Sequence, residues 1–541
     1  MSNIKIRKDL RRWLFGGLGF HNSEATMTPM MSDKFLNERV LKCFGETSPT
    51  FSRVFAGYFD WTREAMDRFA DYYDKTFRKS GTLLYLVPGR MPMITDDFNL
   101  VDYCEKVATN LEYLIKERKC TKVRYYCATN ELSVGNTYAY LAQHLDLFKE
   151  IHTELQKAFI RHGLDIGLMA TDASGVQCFS HNQWVKDNMD EQTEVYCTHL
   201  YSIREDIDEN FYDNLVKLFS EAVEIAQTKE KRFCLGEFGI TSRTRYNNKG
   251  LAMRNDMCAA ENFPEEAGVL SVKLSEMCAA IINTGVFSGA YWSLVDYPDP
   301  FIREDGDSDE EKAIYDVARF SGHGLPIRYN KNGLFRWCDD EQDYSSRAML
   351  YTIGYMVKLF RKGSRTFAVE CDDKNLRACA VTNPDGSFSC AVINIGNEAT
   401  RVSLEIQHNL GKPMRKYDFE ADNVPFNKFC DLQPFSALVE AKDGRCEIEA
   451  PPMSVTFLTT DYVDRKPSEI KNVRTEGDFV KWDSCEDAEH CYYRVYASDK
   501  KDFIPSYENQ ICSTVALYTE ISQENAKKYY KVESVDKYGN R

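Results

Sequence analysis

The amino-acid sequence predicts a multidomain protein, a (β/α)₈ or TIM barrel followed by two antiparallel β-sandwiches. Short apolar runs alternate with long segments of helical period from residue 13 to about residue 361. Closely spaced strand-like runs replace this pattern after that point, and Lys466-Pro467 begins a further all-β segment. The chain of 541 residues also exceeds the usual size of one domain. We therefore expect a barrel at 1–362, an accessory sandwich at 363–463 and a third domain at 464–541.

Eight apolar runs supply the predicted barrel strands. Their short length suits strands that are buried on both faces of a parallel sheet. They lie at 14–20, 51–59, 82–89, 122–131, 165–174, 194–202, 232–240 and 288–297. Segments of helical period lie at 64–79, 99–118, 138–162, 208–229, 264–283 and 345–360. Eight strand–helix units are the pattern of a TIM barrel, and the absence of a glycine-rich dinucleotide loop disfavours a doubly wound sheet.

The two C-terminal domains are predicted from strand and turn signals. Runs such as TFAVEC, LRACAVTN and FSCAVINIG, separated by turns such as Asp443-Gly444, predict an antiparallel sandwich of about 100 residues. In the last domain, Trp482 lies on an early strand, Y-x-V-Y lies in the middle, and Y-x-V-x-x-V-D-x-Y-G-N lies near the end. This pattern resembles a fibronectin type III module, which implies a spacer or an interaction surface.

The charge balance excludes several classes of partner. Lys and Arg total 68 against 83 Asp and Glu, so the formal net charge is −15. An acidic surface repels nucleic acid and anionic membranes, so we expect neither as a partner. It is compatible with a neutral substrate such as a sugar. No stretch of apolar residues is long enough to predict a transmembrane helix.

The N-terminus and the cysteines predict a cytoplasmic protein. The first residues, MSNIKIRKDLRRWLFGGLGF, contain no long apolar run and no small-residue cleavage site, which argues against a secretory signal. The 18 cysteines are scattered and form no C-x-x-C pair, so buried reduced thiols are expected rather than a zinc site or disulfides. Reduced thiols are typical of the cytoplasm. A chain whose signal had been removed would look the same.

Two glutamates lie where barrel strands end. The fourth strand ends Ala128-Thr129-Asn130-Glu131, and the seventh contains Gly236-Glu237-Phe238-Gly239. In a TIM barrel the active site lies at the C-terminal ends of the strands, so these carboxylates are expected to face each other across one mouth. Two opposed carboxylates are what glycosidic cleavage requires, because one protonates the departing oxygen while the other attacks the sugar carbon. For either glutamate alone, a solvated loop residue would be the better interpretation.

The strand-end motifs resemble clan A of the glycoside hydrolases. Asn130-Glu131 after the fourth strand, His199-Leu200-Tyr201 on the sixth, Glu237 on the seventh and Trp292 on the eighth carry the resemblance. The segment LGEFG at 235–239 is similar to the corresponding strand of family 5. That family usually has Pro after Asn-Glu, however, and this chain has Leu132. The domain layout, with PPMSVTFLTT at 451–460, is more similar to families 30, 39 and 51.

This resemblance implies a retaining β-glycosidase that acts through a covalent glycosyl-enzyme, with a glycoside or oligosaccharide as substrate and without a cofactor or metal. Glu131 would be the acid/base, with a raised pKa, and Glu237 the nucleophile, which must stay ionised. The resemblance implies four further contacts. Tyr201 would bond the nucleophile, Asn130 the sugar 2-hydroxyl, His199 would line the wall and Trp292 would lie under the sugar ring.

Further candidates come from the first two strands and two long connections. Arg53 on the second strand is expected to bond the nucleophile and lower its pKa, or else to make a structural ion pair. His21 after the first strand and Trp61 after the second are expected to contact the sugar, although Trp61 could equally pack against the next helix. The connections at 241–263 and 298–344 are long enough to wall the pocket or to form a subunit interface.

Two other interpretations of the function remain open. The chain could be a carbohydrate-binding pseudo-enzyme or scaffold without turnover, although such a binder has no need of both glutamates. It could also be an unrelated barrel enzyme, which would need a Schiff-base lysine or a His/Asp metal cluster at the strand ends. The strand ends offer no lysine and only His21 and His199 among the histidines. The sequence leaves open the sugar, exo or endo action and the oligomeric state.

Overall fold

The structure is a computed structural model, and it describes most of the chain. The described residues are 1–22, 25, 31–56, 62–88, 98–132, 136–241, 266–299, 328–330, 333–337, 343–523 and 526–541. Strand β1 (Ser2–Leu14) comes first. It pairs with strands that follow residue 364, so the N-terminal segment of the expected 1–362 range lies in the accessory sheet.

The predicted barrel is present, as eight parallel strands that close in sequence order. Each strand falls within or beside one of the predicted apolar runs. The strands are β2 (Gly17–His21), β3 (Phe51–Phe55), β4 (Leu83–Val87), β5 (Val123–Tyr126), β6 (Gly167–Ser174), β7 (Val195–Ile203), β8 (Arg232–Thr241) and β9 (Ser288–Tyr291). A short antiparallel pair, β10 (Tyr297–Asp299) and β11 (Arg328–Asn330), follows outside the barrel.

Helices follow the barrel strands much as their apolar periodicity predicts. They are α1 (Asp33–Phe35), α2 (Leu41–Thr47), α3 (Arg63–Lys75), α4 (Phe77–Ser80), α5 (Leu100–Glu112), α6 (Asn136–Gln143), α7 (Leu145–Arg161), α8 (His181–Asn188), α9 (Phe211–Gln227), α10 (Ala267–Thr284) and α11 (Leu350–Leu359). Wider π-helical turns at Leu36–Val40 and Tyr113–Glu117 adjoin α2 and α5. Thr62 and Asn99 cap α3 and α5 by accepting backbone N–H bonds.

One predicted helix is divided in two. The segment 138–162 carries a continuous apolar stripe, yet the helix breaks at His144, whose φ of −128° and ψ of 60° are not helical. The imidazole of His144 bonds the carbonyl of Tyr140, 2.8 Å away. This local bond accompanies the break that separates α6 from α7. Apolar periodicity cannot report such a bond, because it records only which face is buried.

The accessory domain is one nine-stranded sheet that curls around its own core. Its later strands are β12 (Arg365–Cys371), β13 (Leu376–Thr382), β14 (Phe388–Asn394), β15 (Thr400–Ile406), β16 (Met414–Glu420), β17 (Ala437–Val439), β18 (Arg445–Ala450) and β19 (Ser454–Thr459). The strand order is β17-β16-β19-β14-β13-β12-β1-β15-β18. Ile448 at one edge and Met414 near the other lie in the same apolar cluster. The sheet therefore folds over on itself as a sandwich.

The accessory domain packs on the barrel through α10. This helix is buried on nearly all sides, because one side faces the barrel and another contacts β12, β13 and β14. Val381, Ile393 and Phe457 of the sheet belong to the same apolar cluster as the barrel helices. The two domains therefore share a core rather than a flexible junction.

The third domain contains two three-stranded sheets. Its strands are β20 (Arg474–Glu476), β21 (Phe479–Lys481), β22 (His490–Ser498), β23 (Gln510–Thr514), β24 (Tyr518–Glu520) and β25 (Tyr529–Asp536). The orders are β20-β21-β24 and β23-β22-β25. Trp482, Val495 and Val532 join the two sheets in one core. The fibronectin type III assignment stays a prediction.

Among the described helices, none combines the length and apolar character that a bilayer-spanning segment needs.

Candidate active site

The barrel mouth brings Glu131 and Glu237 together. Glu237 is the sixth residue of β8, and Glu131 follows β5 in a loop where its backbone takes a left-handed conformation with φ of 55°. One carboxylate oxygen of each glutamate and one ring nitrogen of His199 all lie within 4.8 Å of one another. The side chain of Glu131 is 20% exposed and that of Glu237 is 3% exposed. Two carboxylates from distant parts of the chain thus face one small space.

Glu237 is held by two donors. Nη1 of Arg53 donates to Oε1 of Glu237, and the hydroxyl of Tyr201 donates to Oε2. Nδ1 of His199 lies 3.4 Å from Oε2. Both donors were expected from the sequence to contact this carboxylate, and each comes from a different barrel strand. Charge-assisted bonds of this kind orient a carboxylate and favour its ionised form.

Arg53 is the centre of a buried polar network. Its side chain is fully buried, and Nη2 donates to Oδ1 of Asn130 at 2.7 Å and to Oδ2 of Asp172 at 2.6 Å. Nδ1 of His21 lies 3.3 Å from Nη1. Arg53 therefore links the carboxylate of Glu237 to the amide that precedes Glu131. A rigid guanidinium fork suits this task, because it offers several donors in one plane.

Asp172 is the site residue that sequence reasoning missed. It lies on β6 with φ of 59°, is fully buried, and accepts a hydrogen bond from the hydroxyl of Tyr85 at 2.8 Å. Its carboxylate also bonds Arg53 and, at 2.8 Å, Nε2 of His199. The available signal was an aspartate within the apolar run GLMATDAS. A charged residue inside a buried strand needs partners, and here the partners are site residues.

His199 carries a positive charge at neutral pH. Burial alone would lower its pKa, but the negative charges of Asp172 and Glu237 raise the pKa of His199 to about 10. The ring bridges Asp172 and Glu131, since Nδ1 lies 3.2 Å from Oε1 of Glu131. A proton on Nδ1 can therefore be donated to Glu131.

The pKa directions of the two glutamates differ from those expected for their roles. Burial tends to raise the pKa of Glu131, yet the hydrogen bond and charge of His199 outweigh it and leave that pKa below its ordinary value. Burial raises the pKa of Glu237, although Arg53, His199 and Tyr201 oppose the rise. An acid/base needs a raised pKa and a nucleophile a low one. The arrangement instead places the available proton on His199.

A cavity of about 1150 Å³ opens in front of the two glutamates. Asn130, Tyr201 and Trp292 line it together with Glu131 and Glu237. The cavity continues past the end of β7 to α9. Its wall there carries polar side chains, which include Asp206, Asn214, Lys217 and Glu221. This is large enough for more than a single small ligand group.

The other predicted contacts lie behind this wall. His21, Arg53 and His199 are each 0% exposed, so in this geometry they support the lining residues. The ring of His21 lies 4.2 Å from that of Trp292, measured between centroids, and burial together with Arg53 lowers the pKa of His21 well below its usual value. His21 is therefore neutral and packs beneath the Trp292 ring.

Some sequence predictions fall on residues that the structure does not describe. Trp61 lies outside the described residues, and so do 242–265 and most of 300–342, which contain the two long connections.

Within the described part of the chain, Glu131, His199 and Glu237 also form the one group of three whose atoms are close enough to share a metal ion. The ligand types suit a transition metal or zinc, but the proton on His199 and the bonds from Arg53 and Tyr201 to Glu237 occupy these atoms.

No family model matches the sequence, and no curated protein matches it either. The fold does have solved counterparts. An endoxylanase of glycoside hydrolase family 30 from Clostridium papyrosolvens C71 superposes with a TM-score of 0.55 at 12% identity, over 85% of this chain and 99% of its own.

Two further structures are similar over the same share of the chain. A family 51 arabinofuranosidase from Xanthomonas axonopodis pv. citri gives a TM-score of 0.56 at 12% identity, over 85% of this chain and 99% of its own. A glucosidase from Croceicoccus marinus gives 0.57 at 10% identity, over 85% and 98%. At such identities the likeness shows the fold alone. The barrel with its β-sandwich is thus an arrangement that glycoside hydrolases also have.

Proposed function

We propose that this protein is a retaining β-glycosidase, with Glu237 as nucleophile and Glu131 as acid/base. The observation that carries the proposal is the closeness of two carboxylate oxygens, within 4.8 Å, at the C-terminal mouth of the barrel. Carboxyl groups of retaining enzymes stand about 5–5.5 Å apart, whereas inverting enzymes need about 6.5–9.5 Å to admit a water. The glycoside hydrolases with the same fold support the substrate class.

The proposed reaction assigns each step to a named atom. An oxygen of Glu237 attacks the anomeric carbon while Glu131 protonates the departing oxygen, and water then releases the sugar with Glu131 as base. Arg53 and Tyr201 hold the attacking carboxylate in place. His199 supplies the proton that Glu131 needs, across the 3.2 Å between Nδ1 and Oε1. Formation of the sugar ester removes the charge of Glu237, which lowers the pKa of His199.

A second candidate function is carbohydrate binding without turnover. The specific observation that favours it is the lowered pKa of Glu131, because an ionised Glu131 cannot protonate a leaving group. The cavity wall of Trp292, Asn130 and Tyr201 would serve a binder equally well.

A panel of aryl β-glycosides and short oligosaccharides separates the two functions. We expect the wild-type protein to hydrolyse at least one of them, and Glu237→Gln to lose on the order of 10³-fold or more in kcat/KM while its circular dichroism stays unchanged. The matched control is Glu221→Gln, which removes a carboxylate that α9 contributes to the same cavity. Binding of a panel member without hydrolysis by the wild type would identify a binder. Equal activity in Glu237→Gln would contradict the proposed nucleophile.

A divalent ion is tested in the same assay. Dialysis against a chelator is expected to leave hydrolysis unchanged, because the proposed mechanism uses only side chains of this chain. Loss of activity that zinc or manganese restores would instead assign Glu131, His199 and Glu237 to a metal.

A further inference from the structure

A second cavity, of about 410 Å³, lies at the opposite end of the barrel from the candidate active site. Thr50 immediately precedes β3, and Lys122 immediately precedes β5, so this wall is the N-terminal edge of the barrel. The segment that follows α11 contributes Lys362, and the third domain contributes Lys537. The cavity is therefore built jointly by the barrel, the linker to the accessory sheet and the third domain.

The lining of this cavity is rich in cations although the chain as a whole is acidic. Six cationic side chains line it together with only three carboxylates: Lys79, Lys122, Lys358, Arg361, Lys362 and Lys537 against Glu46, Asp385 and Asp461. Two of them are already paired. Arg361 bonds Asp385 at 2.8 Å and Asp461 at 3.1 Å, and Lys537 bonds Glu489 at 2.6 Å. Within the described part of the chain, the other four lysines form no ion pair with a carboxylate.

The unpaired lysines are crowded and partly removed from water. Lys122, Lys358 and Lys362 are half-buried. Burial lowers the pKa of Lys362, and the positive charge of Lys122 lowers it further. Like charges that face each other in a partly desolvated space repel one another more strongly than they do in water. An anion in the cavity would remove that repulsion.

The C-terminal ends of helices explain the positions of only two of these four lysines. Lys79 and Lys358 lie in the last turns of α4 and α11, where a cation interacts favourably with the C-terminal end of a helix. Lys122 precedes a strand, and Lys362 lies beyond the end of α11. Neither of these two lysines lies at a helix terminus, and neither forms an ion pair with a described carboxylate.

We propose that this cavity binds a small phosphate-bearing anion. Lysine is a common phosphate ligand because its ammonium group is a compact charge with three donors. The hydroxyl groups of Ser48 and Tyr538 on the same wall supply neutral donors. The volume lies in the lower part of the range of small-molecule sites, about 300–1,000 Å³, which suits a phosphate or diphosphate group with a small substituent. This site is independent of the proposed glycosidase activity.

Pyrophosphate and inorganic phosphate are the probes that test this site. The full-length protein is titrated with each anion, with sodium chloride at matched ionic strength as the reference, and its thermal midpoint and calorimetric binding are recorded. The test variant is Lys122→Gln/Lys362→Gln. The control variant is Lys500→Gln/Lys501→Gln, which neutralises two exposed lysines of the third domain.

A saturable rise of the midpoint with pyrophosphate is expected for the wild type and the control, because ligands that bind the folded state stabilise it. The test variant is expected to bind pyrophosphate at least about tenfold more weakly, equivalent to about 1.4 kcal/mol.

Without added anion, Lys362→Gln alone is expected to raise the thermal midpoint, since it relieves like-charge repulsion. The proposal is overturned if pyrophosphate acts no differently from sodium chloride, if the test variant responds like the control, or if Lys362→Gln lowers the midpoint.

Discussion

At the scale of single residues, the site depends on charges that compensate one another inside the barrel. Arg53, Asp172 and His199 are fully buried, and each is joined to another member of the group by a hydrogen bond. An isolated buried charge is costly, so each member requires its neighbours. Asp172 bonds both cations, which makes it the residue that fixes their positions relative to Glu237.

Replacement of Asp172 by Asn tests this role. Loss of its charge is expected to lower the pKa of His199, because the charge of Asp172 is the main contribution that raises it. Glu131 then loses the neighbouring imidazolium and its pKa rises. Because His199 holds the proton that Glu131 uses, activity falls as pH rises through the pKa of His199, and the alkaline limb of kcat/KM is expected to move to lower pH. We also expect kcat to fall on the order of 10²-fold, since the carboxylate pair is less well positioned.

The matched control for Asp172 is Tyr85→Phe. It removes one neutral donor to Asp172 and leaves every charge in place. We expect Tyr85→Phe to leave the alkaline limb where it is in the wild type, and the titration of His199 is followed by NMR in both variants. An unchanged pKa of His199 in Asp172→Asn would contradict the assigned coupling.

The residue scale also shows how far the sequence could predict the site. The sequence predicted that Glu131, Glu237, Tyr201 and Arg53 lie at one mouth because each is a polar residue within or just after an apolar run, and their roles stay predictions. The sequence could not show that Arg53 bonds Asp172, because that bond depends on the spacing of β3 and β6 across the barrel. Nor could it give the pKa directions, which depend on how His199 lies between three carboxylates.

At the scale of elements, helices position the strand ends that carry the site. His152 of α7 is fully buried, and its Nε2 accepts the backbone N–H of Ala128 at 3.4 Å, three residues before Glu131. Burial lowers the pKa of His152 to about 3. The helix therefore contacts the active-site loop through a neutral imidazole.

Acid is expected to destabilise the protein through His152. In the unfolded chain a histidine titrates near about 6.5, so between about pH 6.5 and 3 the unfolded state binds one more proton. The contribution of neutral His152 to the free energy of unfolding is therefore complete above about pH 6.5. It falls by about 1.4 kcal/mol for each pH unit below that value. We expect His152→Leu to show a smaller loss of the free energy of unfolding between pH 6.5 and 5 than the wild type does. Chemical denaturation at both pH values measures this difference, and equal losses in the two proteins would contradict it.

Apolar periodicity predicted the barrel strands and helices because each of them forms by burying an apolar face. It placed all eight barrel strands, since each must bury both faces. It did not locate the break at His144 or assign β1 to the accessory sheet, because both depend on hydrogen bonds between particular residues. Parallel pairing of β1 with β15 joins residues about 400 positions apart, which no local pattern records.

At the scale of the whole molecule, buried charges join the three domains. Asp431 of the accessory domain bonds Nζ of Lys42 on α2 at 2.6 Å. Its other oxygen accepts from Arg494 at 3.0 Å and from Ser513 at 3.1 Å, both in the third domain. One carboxylate therefore connects the barrel, the sandwich and the third domain. The third domain is accordingly expected to stabilise the barrel rather than to act as a loose spacer.

Asp431→Asn is expected to lower the free energy of unfolding by about 3 kcal/mol, because it removes the hydrogen-bonded counter-charge of Lys42 and Arg494 in a buried site. The control is Asp499→Asn, whose exposed pairing with Lys527 contributes about 0–1 kcal/mol. Denaturant midpoints of the two variants compare them directly. An effect of Asp431→Asn no larger than that of the control would show that the junction does not hold the domains together.

The measurement that most directly tests the central claim is the anomeric configuration of the first product, followed by proton NMR during hydrolysis of an aryl β-glycoside that the panel identifies. Two carboxylates within 4.8 Å leave no room for a water between Glu237 and the sugar. The β-anomer is therefore expected to appear first and then to mutarotate. Initial release of the α-anomer would contradict the assignment of Glu237 as nucleophile.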